Sequence, residues 1–176
     1  MKTTGVVRRI DDLGRIVIPK EIRRNLRIKD GESLEIFVDN EMIALKKFSS
    51  MNDLNDICKD LVNTINQSLS KNVLITNRDS VIAFSGNNKN DYIEKNISKY
   101  VEEKLKNREI VIEKENKDVE FVEQLQGNFS YVISPIITNG DVVGTVIIFS
   151  ESDSIGDVEV KFASVTSNFL GRHIEE

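Results

Sequence analysis

One cysteine and one histidine stand among 176 residues. A lone Cys58 closes no internal disulfide, which fits a reducing compartment. A lone His173 makes no metal-ligand set. Neither has a catalytic companion nearby in sequence, and no nucleophile, base and orienter form a recognisable set. The expectation is a non-enzyme without a cofactor. No apolar run approaches 18 residues, so no membrane span is expected. The opening "MKTTGVVRR" lacks the apolar centre of a signal peptide. A hydrophobic content of 39% with 30% charged residues is that of a globular chain, not a disordered one. The length allows one large domain or two small ones.

What is present is unevenly placed. The net charge is −5, yet residues 1–29 hold nine basic and three acidic side chains. Residues 1–48 hold 11 against 8, and residues 49–176 hold 13 against 21. A basic segment on an acidic chain predicts a local partner of negative charge. The charge shift divides the chain into a head, residues 1–50, and a tail, residues 51–176.

The head reads as short elements. "TGVVRRI" (4–10) is β-branched and predicts a strand, with Arg8 and Arg9 on opposite faces. "DDLG" (11–14) is turn chemistry, and "RIVI" (15–18) is a second strand begun by Arg15. Pro19 suits the first position of a helix. "KEIRRNL" then supplies one or two turns, with Ile22 and Leu26 inward and Lys20, Arg23, Arg24 and Arg27 in a second stripe. Residues 33–38 and 41–47 alternate around Asp39-Asn40, which predicts a hairpin. So few apolar residues cannot close a core alone. The expected solution is an intertwined dimer, whose two-fold symmetry also suits duplex DNA.

The tail reads as a mixed fold. Met51, Leu54, Cys58, Leu61 and Ile65 form a narrow helical seam, as in helix pairing. "NVLITNRDSVIAFSG" predicts two strands around "NRD". Asp91 and Glu94 resemble a capping box opening a helix with Ile93, Ile97, Val101 and Leu105. "REIVIEK" and "FSYVISPIITNGDVVGTVIIFSE" supply strands, with Asn139-Gly140 as a hairpin turn. Asp157 or Ser154 caps a last helix bearing Val158, Phe162, Val165 and Phe169 on one face. "EKENKDVEFVE" reads as a solvated loop. Cys58 reads as a small core residue, and His173 as a cation in a last helical turn. Phe84, Phe121, Phe129 and Tyr131 read as core packing, with a ligand-pocket lining as the second choice.

The run "GVVRRIDDLGRIVIPKEIRRNLRIKDGESLEIFVDNEMIALKKF" resembles the swapped-hairpin DNA-binding domain of the AbrB transition-state regulators. That resemblance implies a β-rich intertwined dimer barrel. It also implies that Arg8, Arg15, Arg23 and Arg24 contact double-stranded DNA, with Lys2, Arg9, Lys20 and Arg27 as supporting charges. The same head fold occurs in toxin-neutralising antitoxins, an alternative with a protein partner, but those end in a loose toxin-binding tail. The element order of residues 51–176 resembles a GAF domain, an α+β sensor fold with an antiparallel sheet, and "SPIITNGDVVGTVIIF" has the shape of its final hairpin. The pair resembles sporulation transcription factors of spore-forming bacteria. It implies a regulator that activates and represses in the forespore cytoplasm. It further implies a tetramer joined through the GAF-like domains and a small-molecule effector whose chemistry the sequence does not specify.

Overall fold

The computed structural model describes residues 6–48, 51 and 54–175. Its contacts divide the chain into two units, Met1–Phe48 and Ser49–Glu176.

In the head, α1 spans Lys20–Asn25, β1 Leu34–Asp39 and β2 Met42–Lys47. Pro19 stands at the N-cap of α1 rather than inside it. The helix stops after six residues because Arg27 turns into the left-handed region (φ 52°). Ile28 N–H then closes back on the Arg23 carbonyl at 2.8 Å. Arg27 therefore leaves the helical stripe expected for it. The β1–β2 hairpin turns one residue later than expected: Asp39 pairs with Met42, and Asn40-Glu41 form the loop, with Asn40 at φ 49°.

Two expected strands do not form in the single chain. Residues 6–10 and 15–18 carry no ladder, because a strand needs a neighbour and these segments have none within one copy. The head also lacks an interior: among residues 6–48 only Pro19 is buried. The hairpin places Ile36 opposite Leu45 and Val38 opposite Ile43. Side-chain alternation makes this one apolar face, and all four residues are exposed. Leu26, expected inward, is exposed as well.

The tail is an antiparallel sheet of five strands in the order β4-β3-β7-β6-β5. The strands are β3 (Asn72–Asn77), β4 (Val81–Ser85), β5 (Val111–Val122), β6 (Leu125–Thr138) and β7 (Asp141–Ser150). Helices α2 (Asn55–Leu69), α3 (Lys89–Tyr92), α4 (Lys99–Asn107) and α5 (Asp157–Glu175) complete it. Asn139 and Gly140 both adopt positive φ, 48° and 80°, as the tight β6–β7 hairpin requires. Pro135 lies in β6 beyond the last β5 partner, Val111 opposite Ile133, where one side of the strand has no ladder to supply.

Alternation along the strands sends side chains to two cores. One holds Cys58, Val62 and Ile65 of α2 with Val73, Ile75, Val132, Val146 and Ile148 of the sheet and Ala163 and Leu170 of α5. The seam on α2 thus packs on its own sheet. The other core is aromatic and includes Phe84, Phe121, Phe129, Tyr131 and Phe149. Each fully buried side chain of this size contributes on the order of 1.5–3 kcal/mol.

Three further expectations are corrected. The helix expected from Asp91 begins at Lys99, capped by Ser98, whose hydroxyl accepts from Val101 N–H at 3.2 Å and donates to the Glu120 carbonyl. Residues before it are spent on bridges instead, Ser80 with Asn96 and Ile97 with Val122. The charged run 113–123 lies largely in β5, and its Val119, Phe121 and Val122 are buried. On α5, Val158, Phe162, Val165 and Phe169 face solvent. Apart from Leu170, the helix turns mainly small residues inward, Ala163, Thr166 and Ser167 among them, because it lies very close to β6. Ser167 and Ser134 hydroxyls meet at 2.8 Å, and a Cβ at Gly171 would stand 2.3 Å from the Ile137 carbonyl oxygen.

Candidate nucleic-acid interface

Asp11 organises the first basic element. Its carboxylate accepts from the N–H groups of Leu13 (3.1 Å) and Arg15 (2.8 Å). The backbone closes around it, with Asp11 N–H to the Arg15 carbonyl at 3.1 Å and Gly14 N–H to the Asp11 carbonyl at 3.0 Å. Gly14 supplies φ 76°, which a side chain would resist. The same carboxylate binds Arg15 Nε at 2.7 Å. The backbone N–H and then the side chain of Arg15 hold the Asp11 carboxyl below its ordinary pKa. Arg15 is thereby fixed in direction while staying largely exposed.

A second acidic residue does the same for α1. Asp30 takes Arg23 Nη1 at 2.6 Å, and Arg23 Nε is buried without an acceptor among the described residues. The following loop is tied down by Glu32, which accepts from Lys29 N–H at 2.8 Å and pairs with Lys47 at 3.0 Å. Lys47 also donates to the Arg27 carbonyl at 3.2 Å. Arg8, Arg9, Lys20 and Arg24 are exposed, and none has an acidic partner among the described residues. Lys2 lies outside the described residues.

The cations are therefore of two kinds. Arg15 and Arg23 are aimed by carboxylates, and Arg8, Arg9, Lys20 and Arg24 are left to solvent or to a ligand. Sequence reasoning missed the aiming residues, Asp11 and Asp30. The signal for Asp11 was present: an Asp at the head of a turn, followed by Gly and Arg, is Asx-turn chemistry. Asp30 gave none, since seven residues separate it from Arg23.

Among residues weighed for other chemistry, Cys58 is buried and its thiol is pushed up to about 12 by that burial, the opposite of a reactive thiolate. The candidate pocket aromatics pack on one another: the Phe121 ring stands 5.7 Å from Phe129 and 5.2 Å from Tyr131, and the Phe84 ring 6.4 Å from Phe149. They are core. His173 sits in the last turn of α5 with its ring 4.5 Å from Phe169. No group of three or more candidate metal ligands occurs among the described residues. No described helix is long and apolar enough to cross a membrane.

A basic turn and helix ahead of an uncovered apolar hairpin, followed by an independent α+β unit, define a modular DNA-binding regulator. Similarity to known proteins places it further. The model of the stage V sporulation protein T C-terminal, transcription factor family matches residues 53–175. That of the antidote-toxin recognition MazE bacterial antitoxin family matches residues 7–50. Stage V sporulation protein T of Bacillus subtilis is 46% identical over the whole of both chains. The transition state regulatory protein AbrB of the same organism is 58% identical over 48 residues, 27% of this chain and 50% of that one. The crystal structure of the GAF domain of an Acinetobacter phosphoenolpyruvate-protein phosphotransferase aligns with a TM-score of 0.56 at 17% identity. It covers 73% of this chain and 84% of that one, a likeness of fold alone. The chain belongs to the stage V sporulation protein T family of transcription factors, with an AbrB-like head and a GAF-like tail.

Proposed function

We propose that two heads share one core and bind duplex DNA through Arg8, Arg15, Arg23 and Arg24, with Lys2, Arg9, Lys20 and Arg27 adding charge. The observation that carries this reading is the head itself. Its apolar hairpin face is uncovered and its basic side chains are exposed, so one surface asks for a second copy and the other for a polyanion. Asp11 and Asp30 hold Arg15 and Arg23 in fixed directions, which lowers the entropy cost of binding. Tails then join two head dimers into a tetramer through the exposed α5 stripe. The assembly activates some sporulation promoters and represses others in the forespore cytoplasm, under a small-molecule effector.

The test is a salt series on operator affinity. Arg24→Ala should lower affinity and reduce the salt slope by about one for each phosphate that Arg24 neutralises, or about two if symmetry doubles it. Asp11→Asn should leave the charge of Arg15 in place yet weaken binding by releasing its direction. Wild-type affinity and slope in Arg8→Ala and Arg24→Ala together would refute the surface.

The head's match to the antitoxin family supports a second reading, a protein that sequesters a toxin. Residues 54–175 argue against it, because they form a folded two-core unit rather than a loose tail. Co-purification of a small toxin with the full chain would favour it.

A further inference from the structure

The tail contains a cleft of about 590 Å³ at one end of its sheet. Four chain segments meet there: the end of α2, the start of β3, the turn after β4 and the turn after β7. The volume is enough for a small molecule, although the cleft is about half open to solvent and, unlike most such sites, has no apolar side-chain lining.

Its lining is unusual in composition. Every lining residue is Asn, Gln, Ser, Gly or Glu, with no apolar side chain and no cation. An apolar ligand would strand these amides and hydroxyls without hydrogen bonds, which is costly. An anionic ligand would meet no Lys or Arg. It would meet the Glu151 carboxylate and the C-terminal end of α2, which carries partial negative charge.

Three of the lining side chains are held in place by one pole and open at the other. The Asn66 amide donates to the Lys71 carbonyl at 2.7 Å. A carbonyl only accepts, so the amide orientation is settled and Asn66 Oδ1 is left as an acceptor. Asn72 Oδ1 accepts from Asn87 N–H at 3.0 Å, which leaves the Asn72 NH2 as a donor. Ser150 Oγ accepts from Asp153 N–H at 3.2 Å, which leaves its O–H as a donor, on a residue only 6% exposed. None of the three open poles has a partner among the described residues.

The backbone is shaped to keep this arrangement. Gly86 adopts φ 146°, and a Cβ there would stand 2.1 Å from Asn72 Oδ1. Only glycine lets the turn after β4 close on the Asn72 amide. Fixed donors and acceptors with no apolar wall suit a ligand rich in hydroxyl groups. One carboxylate beside them suits an amine on that ligand.

We propose that this cleft binds a small polyhydroxylated amine of the amino-sugar class. Asn66 and Asn72 read its hydroxyls, Ser150 donates to one of them, and Glu151 faces its ammonium group. The proposal deepens the effector part of the proposed function, and the site itself can be tested apart from any regulatory effect.

Saturation-transfer NMR on the full-length protein is the experiment, with glucosamine, glucose and glucose 6-phosphate as probes. Glucosamine should give the strongest transfer, glucose less, and glucose 6-phosphate none. Asn72→Ala and Ser150→Ala should each weaken glucosamine binding about tenfold, the value of one neutral hydrogen bond. Glu151→Gln should weaken glucosamine about fivefold, the upper range for an exposed ion pair, and leave glucose unchanged. Thermal melting of each variant checks folding, and Glu151→Gln, an exposed isostere, keeps the test open if a truncation unfolds the tail. Absence of glucosamine transfer, or equal transfer to glucose 6-phosphate, overturns the site. So does a glucosamine affinity that survives all three substitutions. Operator affinity is measured separately with and without glucosamine. Binding without a change in operator affinity would support the site and refute an effector role for it.

Discussion

Val165 stands at the middle of the apolar stripe on α5 and is 68% exposed. Burying a valine side chain fully is worth about 2 kcal/mol, so roughly two-thirds of that, about 1.4 kcal/mol, is still to be gained at this position. A two-fold contact contains the residue twice, which brings the sum to about 3 kcal/mol. Val165→Asp forfeits this and adds the cost of dehydrating a carboxylate in an apolar contact. The dissociation constant between tails should therefore rise at least ~100-fold. The fold of the tail itself should not suffer, because the side chain touches little of its own domain, and surface changes stay within about 0.5 kcal/mol. Sedimentation velocity at micromolar protein should show wild type as a tetramer and Val165→Asp as a dimer, with unchanged melting. Asn168→Asp, equally charged but off the stripe, serves as the control. A Val165→Asp protein that sediments as wild type would show that tails do not meet through α5.

Cys58 should resist alkylation in the folded protein and react only on unfolding, since its thiol is raised to about 12 by burial; rapid labelling by a thiol reagent at neutral pH would contradict this. Ser98→Ala should cost about 1 kcal/mol or more in urea unfolding, because the hydroxyl both caps α4 and satisfies the Glu120 carbonyl. Gly171→Ala should destabilise the tail by about 1–3 kcal/mol despite the better helix propensity of alanine, because the new Cβ meets the Ile137 carbonyl oxygen. A stabilised Gly171→Ala variant would mean that α5 moves off β6 at little cost.

Much of the tail was legible because its signals are local. Apolar runs bounded by turn residues marked β3, β4, β6 and β7, and Asn139-Gly140 marked the β6–β7 hairpin, all decided within a few residues. What was not legible depends on distance between elements. The stripe of Val158, Phe162, Val165 and Phe169 has the periodicity of a buried face. It ended outside because Gly171, Ala163 and Ser167 permit a closer approach to the sheet than large side chains would. The α2 seam has the spacing of a helix pair and packs on its own sheet instead. The start of α4 was misplaced because Ile97 is drawn into a bridge with Val122, a partner 25 positions away. The start of β5 was legible in "REIVIEK", but charge density hid its continuation, since its buried residues come only near its end. In the head, Asp11 was within reach of turn rules, whereas Asp30 reaches Arg23 only because α1 stops after six residues.

A head with no interior of its own has a consequence for dosage. Leu45, Ile36, Val38 and Ile43 stay wet in a solitary copy, so on the proposed pairing a newly made chain carries a folded tail and a head that only a second copy completes. Where pairing completes the fold, the yield of competent heads rises with the square of copy number at low abundance. Unmated heads are open to proteases meanwhile. Such a regulator would ignore slow leakage from its own gene and respond only once synthesis outruns turnover, giving a threshold in time without any additional switch.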